Sequence, residues 1–295
     1  MGYNPGVPLY RHVAENGVVA YLSPQLRAAG VGHAFSTRLG GVSRAPFDTL
    51  NLGNPNGSDV QDPADNISQN YSRLLDAADL ADCQRHWTWQ VHGAAVAVVG
   101  PDRFDNSCQA DALVTVEAGR ALSVRSADCC PVLLATADGR AVAAAHAGWR
   151  GAVAGVAAAA VAELCRAAGA AAGEVIAAVG PCIGFDAFEV GPEVLDAFAD
   201  RFGTDTVRRD GPGGKGHANL PEAVRRSLVS AGVPADRIDT TDRCSVRDGD
   251  EFFSHRREHG ITGRMAAVIA VAKRSNTETR RHGESKAEKA EDGQR

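Results

Sequence analysis

Three apolar runs follow one another between residues 110 and 151 with only short polar connections: ADALVT (110–115), RALSVRSADCCPVLLAT (120–136) and AVAAAHAGWRG (141–151). Apolar runs bounded by turn residues read as buried strands. Any fold open to this chain therefore has to be built around a sheet. The Ala-rich stretch from Gly151 to about Ala172 comes next and reads as a helix closed by Gly173. Residues 63–80 carry apolar positions at helical spacing, with Asp62 or Ser58 as the expected cap. Strand character also marks roughly 8–35, 86–100 around a His-Gly turn, 174–184 and 265–272, while 192–202 and 220–232 read as helices. Residues 36–59 are expected to form a long loop rich in Gly, Ser, Asn and Pro, and GPGGKG (211–216) a flexible surface loop. The expected organisation is one mixed α/β domain over 1–273, followed by a charged, disordered tail over 274–295.

Charge and composition narrow the function. The formal net charge of -5 disfavours a nucleic-acid binder that relies on bulk positive charge. No apolar stretch reaches membrane-spanning length, and the N-terminus has no basic region leading into an apolar block. Seven cysteines (83, 108, 129, 130, 165, 182 and 244) include no CxxC pair, which suggests reduced thiols and a cytoplasmic location. Cys83, Cys108 and Cys165 are expected to be buried packing residues, and Cys182, in the GPCIG turn, likewise. No protein partner is inferable.

The adjacent thiols Cys129 and Cys130 sit at the head of the run Val132–Ala135. Successive side chains on a strand point to opposite faces, so one cysteine can face a site while its neighbour faces packing. Cys129, His92 in QVHG and His146 in AAHAGWRG lie at the ends of apparent buried strands. One thiolate with two imidazoles is a zinc-compatible set, and three protein ligands leave a fourth position for water or substrate. The spacing alone fits no compact zinc motif, so the three would have to meet through the fold.

QVHG, ADALVT, ADCCPVLLA, HAGWRG and GPCIGFDAFEVG occur in that order, with STRLGGVS before them and FFSHRREHGITGRMA after them. Over about residues 31–272 the chain resembles the YfiH family of purine nucleoside phosphorylases, also labelled laccase-domain or polyphenol oxidase proteins. The resemblance implies a layered α/β/β/α-type sandwich with mixed sheets. It implies zinc bound by His92, Cys129 and His146, which makes Cys130 the core neighbour. It also implies phosphorolysis of adenosine, inosine, guanosine and methylthioadenosine, with adenosine deamination as a second activity.

Phosphorolysis needs a phosphate site. Arg38 in STRLGGVS is the first candidate, because a guanidinium binds phosphate through forked hydrogen bonds and the adjacent glycines offer backbone N–H groups. Arg150 is the second, although a structural ion pair would account for it equally well. Asp128 could orient a metal ligand or cap a turn. In SHRREHG (254–260), a structural network is expected, with Arg256 able to reach an anionic substrate. Two rivals stand beside this reading. Cys129 with His146 or His92 could form the thiolate–imidazole pair of a cysteine hydrolase. A copper-dependent polyphenol oxidase is disfavoured, because nine histidines include no His-x-His, although copper(II) stands above zinc in affinity order.

Overall fold

The computed structural model describes residues 8–211 and 214–271; the expected tail and the centre of the GPGGKG stretch lie outside them. Two six-stranded mixed sheets form the middle of the molecule. The first runs in the order Tyr10–Val13, Val19–Leu22, Gly32–Ser36, Met265–Ala270, Arg120–Ser126 and Gln84–His86, antiparallel except for the last pair. The second runs Ile238–Asp239, Val175–Val179, Cys130–Thr136, Val142–Ala147, Ala112–Thr115 and Val96–Val98, with parallel pairs only at its two edges.

Side-chain alternation assigns the layers. Leu133 and Ala135 share an apolar cluster with Phe35, Leu122, Val124 and Ile269 of the first sheet. Cys130, Val132 and Leu134, of opposite parity, pack with Val161 and Leu164 of the helix Val156–Ala168 and with Phe198 and Val224 of the helices Pro192–Phe202 and Leu220–Ser230. The far face of the first sheet, through Ala34, Ala121 and Val268, packs against Tyr71, Leu74 and Leu75 of the helix Ala64–Ala77. The result is helix, sheet, sheet, helix, as the resemblance implies. With both of its faces covered, strand Cys130–Thr136 is buried at every residue, which is why its sequence is continuously apolar rather than alternating.

Several local expectations change. The Ala-rich helix is interrupted at Gly155 (φ +88°) into Trp149–Ala154 and Val156–Ala168, and it ends at Gly169 (φ +61°) rather than Gly173. A left-handed residue breaks a helix, and glycine takes that conformation without steric cost. Neither Asp62 nor Ser58 caps the helix at 64; the N-cap is Pro63. The Asp62 carboxylate instead accepts hydrogen bonds from Ser43, Asn51 and Asn66, tying down the long loop. Residues 86–100 keep strand only at the two ends, and the segment between them crosses from one sheet to the other. A small third sheet (Glu189–Val190, Gly216–Ala218, Val207–Arg209) takes the end of the GPGGKG stretch into a strand. Cys182 is buried, whereas Cys83, Cys108 and Cys165 are only partly so. Among the described residues, no helix is long and apolar enough to cross a membrane.

Candidate metal centre and active-site cavity

Two of the chain's crossings from the first sheet to the second leave the same end of two neighbouring parallel strands. Residues 87–95 lead from strand Gln84–His86 to strand Val96–Val98, and residues 127–129 lead from Arg120–Ser126 to Cys130–Thr136. These crossings carry His92 and Cys129, and the third residue, His146, lies near the end of strand Val142–Ala147 paired with Pro131. The sequence separates the three residues, and the fold brings their donor atoms within 4.8 Å of one another. Among the described residues this is the one group of three or more His, Cys, Asp or Glu side chains so placed. His146 is buried, Cys129 half-buried and His92 exposed, so the group opens towards solvent on one side. The two imidazole rings stand 5.0 Å apart, nearly edge to face.

Both crossings use left-handed backbone at residues other than glycine: φ is +61° at His92 and +90° at Asp128. Such conformations persist where surrounding bonds hold them. At His92 the holder is Asp111, a fully buried carboxylate just before strand Ala112–Thr115. Its Oδ1 accepts from the backbone N–H of His92 (3.0 Å), and its Oδ2 accepts from those of Val91 (3.1 Å) and Gly93 (2.7 Å). The same carboxylate accepts from His146 Nδ1 at 2.9 Å, and the Asp111 carbonyl accepts from the His146 backbone N–H at 2.7 Å. One side chain thus shapes the QVHG turn and sets the His146 ring. Burial works to raise the Asp111 pKa, but the His146 contact and the backbone donors hold it below the usual carboxylate value.

Asp128 has a different task. Its carboxylate accepts from Ser245 Oγ (2.6 Å) and from the Arg256 backbone N–H (2.7 Å), fastening two loops to the Cys129 crossing. The bond to the histidine pair comes from Asp111. Asp111 was visible in the sequence as the one acidic residue at the head of ADALVT, but its partners lie up to 35 residues away.

The electrostatics favour a deprotonated thiol. Burial raises the Cys129 pKa, yet the charge and hydrogen bonds of His146 and His92 outweigh it and bring it down to about 6. His146 moves the other way, to about 9, since Cys129 and Asp111 outweigh the burial that disfavours its charge. A thiolate, a histidine whose Nδ1 is committed to a carboxylate so that Nε2 is left to coordinate, and a second imidazole fit a zinc-class ion. The fit is tight on one side. A methyl group on Gly148 would lie 2.7 Å from His92 Cδ2 and 3.1 Å from Cys129 Sγ. Gly148→Ala is therefore expected to displace one of these donors and lower zinc affinity by at least about tenfold, measured by competition with a chromogenic chelator, with the fold retained by circular dichroism.

The group sits in a cavity of about 400 Å³ that is also lined by Trp89, Phe188, Arg125, Arg256 and Arg264. Neither Arg38 nor Arg150 lines it. The Arg38 guanidinium donates to the carbonyls of Asp48 and Gly249, pairs with the Asp48 and Glu258 carboxylates and stacks on Phe253. The glycines beside it serve packing. A Cβ at Gly40 or Gly41 would run into the backbone of Gly17 and Val18 or of Thr49 and Leu50, and both N–H groups donate to Thr49 Oγ1. Arg150 is exposed over the Trp149 ring. In SHRREHG, Arg257 and Glu258 form a structural network with Ser254, Thr262 and the carbonyls of Ser245 and Phe252, whereas His255 and Arg256 face the cavity.

Known proteins place this architecture. The family model described as multi-copper polyphenol oxidoreductase laccase matches residues 32–272. Purine nucleoside phosphorylase YfiH of Escherichia coli is 39% identical over 240 residues, covering 81% of this chain and 93% of that one. Purine nucleoside phosphorylase PA4543 of Pseudomonas aeruginosa is 38% identical over 253 residues, covering 85% and 98%. The crystal structure of YlmD from Geobacillus stearothermophilus superposes with a TM-score of 0.80 at 31% identity, covering 90% of this chain and all of that one. Sequence, fold and the ordered motifs around the cavity agree, and the chain belongs to the YfiH family of purine nucleoside phosphorylases, the family that the polyphenol oxidoreductase laccase model also describes.

Proposed function

We propose that the protein is a zinc-dependent purine nucleoside phosphorylase acting on adenosine, inosine, guanosine and methylthioadenosine, with adenosine deaminase activity at the same site. The observation that carries this reading is the convergence of His92, Cys129 and His146 in a cavity that also offers aromatic surface and guanidinium groups. Relatives named purine nucleoside phosphorylase support the reaction class. In phosphorolysis a phosphate oxygen bonds to the sugar C1′ as the C1′–N9 bond breaks. The bond's electron pair leaves with the base, which takes up a proton, giving the free purine and the sugar 1-phosphate. His92, Cys129 and His146 would hold the zinc, which when bound supplies Lewis acidity and lowers the pKa of a coordinated water to about 7. Asp111 keeps His146 in the tautomer that leaves Nε2 available. Trp89 and Phe188 line the cavity with aromatic surface suited to a purine, and the cavity arginines supply positive charge for phosphate.

One observation favours a second reading. Cys129, His146 and Asp111 form a chain of thiolate, imidazole and carboxylate, the arrangement of an activated cysteine nucleophile. Incubation of metal-counted protein with inosine separates the two. The phosphorylase releases hypoxanthine only when phosphate is present, loses that activity on chelation and regains it with zinc. Absence of hypoxanthine release under all conditions, or activity that survives chelation and dies on alkylation of Cys129, overturns the proposal.

A further inference from the structure

Many of the described arginines pair with carboxylates: Arg38 with Glu258, Arg225 with Glu222 and Arg226 with Asp205. Arg85, Arg125 and Arg264, which cluster beside the active-site cavity, do not, and Arg256 on the cavity wall donates to the Glu189 carbonyl instead. Arg125 projects from strand Arg120–Ser126, and among the described residues its guanidinium makes neither a hydrogen bond nor an ion pair, although its backbone is held by Gln90. Among the described residues, Arg264 uses only Nη1, which donates to the carbonyls of Thr262 (2.8 Å) and Gly263 (3.1 Å), and makes no ion pair. Arg85 is stacked between the rings of Tyr71 (3.6 Å) and Trp87 (4.0 Å), again with no carboxylate partner among the described residues.

The cluster is convergent. Arg125 and Arg264 both press against Gly53, where a methyl group would meet Arg125 Nη1 at 2.9 Å and Arg264 Cγ at 3.5 Å. Both line the cavity that holds His92, Cys129 and His146. Arg125 also lines an adjoining cavity of about 320 Å³ that contains Arg85, so a third positive charge backs the other two. Bringing like charges together away from bulk water is unfavourable, and an anion bound between them turns that repulsion into attraction. Two guanidinium forks match the charge and the several acceptor oxygens of a phosphate dianion better than those of a single carboxylate.

We propose that inorganic phosphate binds between Arg125 and Arg264, with Gly53 keeping the room for both side chains. This assignment of the co-substrate subsite rests on the phosphorylase reading. Arg125 is the residue to remove, because among the described residues its guanidinium makes no hydrogen bond or ion pair that the fold would lose. Arg125→Gln is expected to weaken inorganic phosphate binding, measured by calorimetry, by roughly ten- to a hundredfold. The phosphate KM for inosine cleavage should rise to match, and the inosine KM should change much less. Gly53→Ala, which keeps every charge but moves the Arg125 guanidinium, should also weaken phosphate by at least about tenfold. Arg150→Gln, outside the cavity, should leave phosphate binding unchanged. Unaltered phosphate affinity in both Arg125→Gln and Gly53→Ala overturns the subsite even if inosine is cleaved. Phosphate binding that is lost in Arg125→Gln while the parent protein never releases hypoxanthine overturns the phosphorylase reading and leaves the anion subsite standing.

Discussion

Cys129→Ala is expected to lower turnover by at least about a thousandfold and zinc content with it, whereas Cys130→Ala is expected to keep both and lose only about 1 kcal/mol of stability. The two thiols differ by one position and have opposite surroundings. Cys130 is fully buried among Val132, Leu134 and the helix residues behind the second sheet, so removing its sulfur leaves a small void and nothing else. Cys129 stands where the chain crosses between sheets, half-exposed to the cavity, and is the one soft donor of the group. Without it the two imidazoles are a weak pair for zinc. His146→Ala should match Cys129→Ala in both measurements. Metal content by mass spectrometry, phosphate-dependent hypoxanthine release and thermal unfolding on the same preparations decide the matter. Equal activity in Cys129→Ala, His146→Ala and Cys130→Ala would refute the assignment.

That the two thiols face opposite ways was legible from strand periodicity, whereas which of them reaches the cavity was implied only by the family resemblance. The mixed α/β class was legible from the apolar runs, but the layered architecture was implied by the resemblance, because a strand as continuously apolar as Cys130–Thr136 does not itself say what covers each face. The placement of Arg38 away from the cavity was not legible. An arginine two residues before a pair of glycines has the same local pattern whether the glycines bind an anion or let two backbones touch, and at Gly40 and Gly41 they do the latter. Arg125 carried a fainter signal, an arginine inside an otherwise apolar strand, RALSVRS. Its significance comes from Gly53 and Arg264, which only the folded chain brings beside it. The helix break at Gly155 had a visible glycine but no local reason to choose it over Gly151. Gly151 stays helical and sits tight against the carbonyl of Gly93 in the QVHG turn.

Asp111→Asn should cost as much as losing a ligand, although Asp111 touches no substrate. The carboxylate serves four donors, namely the N–H groups of Val91, His92 and Gly93 and His146 Nδ1. An amide offers one acceptor oxygen and an NH₂ that must face at least one of these donors, so a buried N–H is left opposed to another N–H. Each buried polar group deprived of its partner costs about 1–3 kcal/mol, and the left-handed backbone at His92 loses the bonds that hold it. His146 would also be released from its tautomer, with a further 10- to 100-fold loss of metal affinity typical of outer-shell changes. The expected result is a fall of about 3–5 kcal/mol in unfolding free energy together with weakened zinc binding. Added zinc should recover part of the stability, because a ligand that binds only the folded state stabilises it by mass action. Asp128→Asn provides the contrast. Its partners are Ser245 Oγ and the Arg256 backbone N–H, so it should loosen those loops and leave zinc affinity within about threefold of the parent. If Asp111→Asn binds zinc as tightly as the parent while Asp128→Asn does not, the outer-shell role belongs to Asp128, and the orientation of His146 has another source.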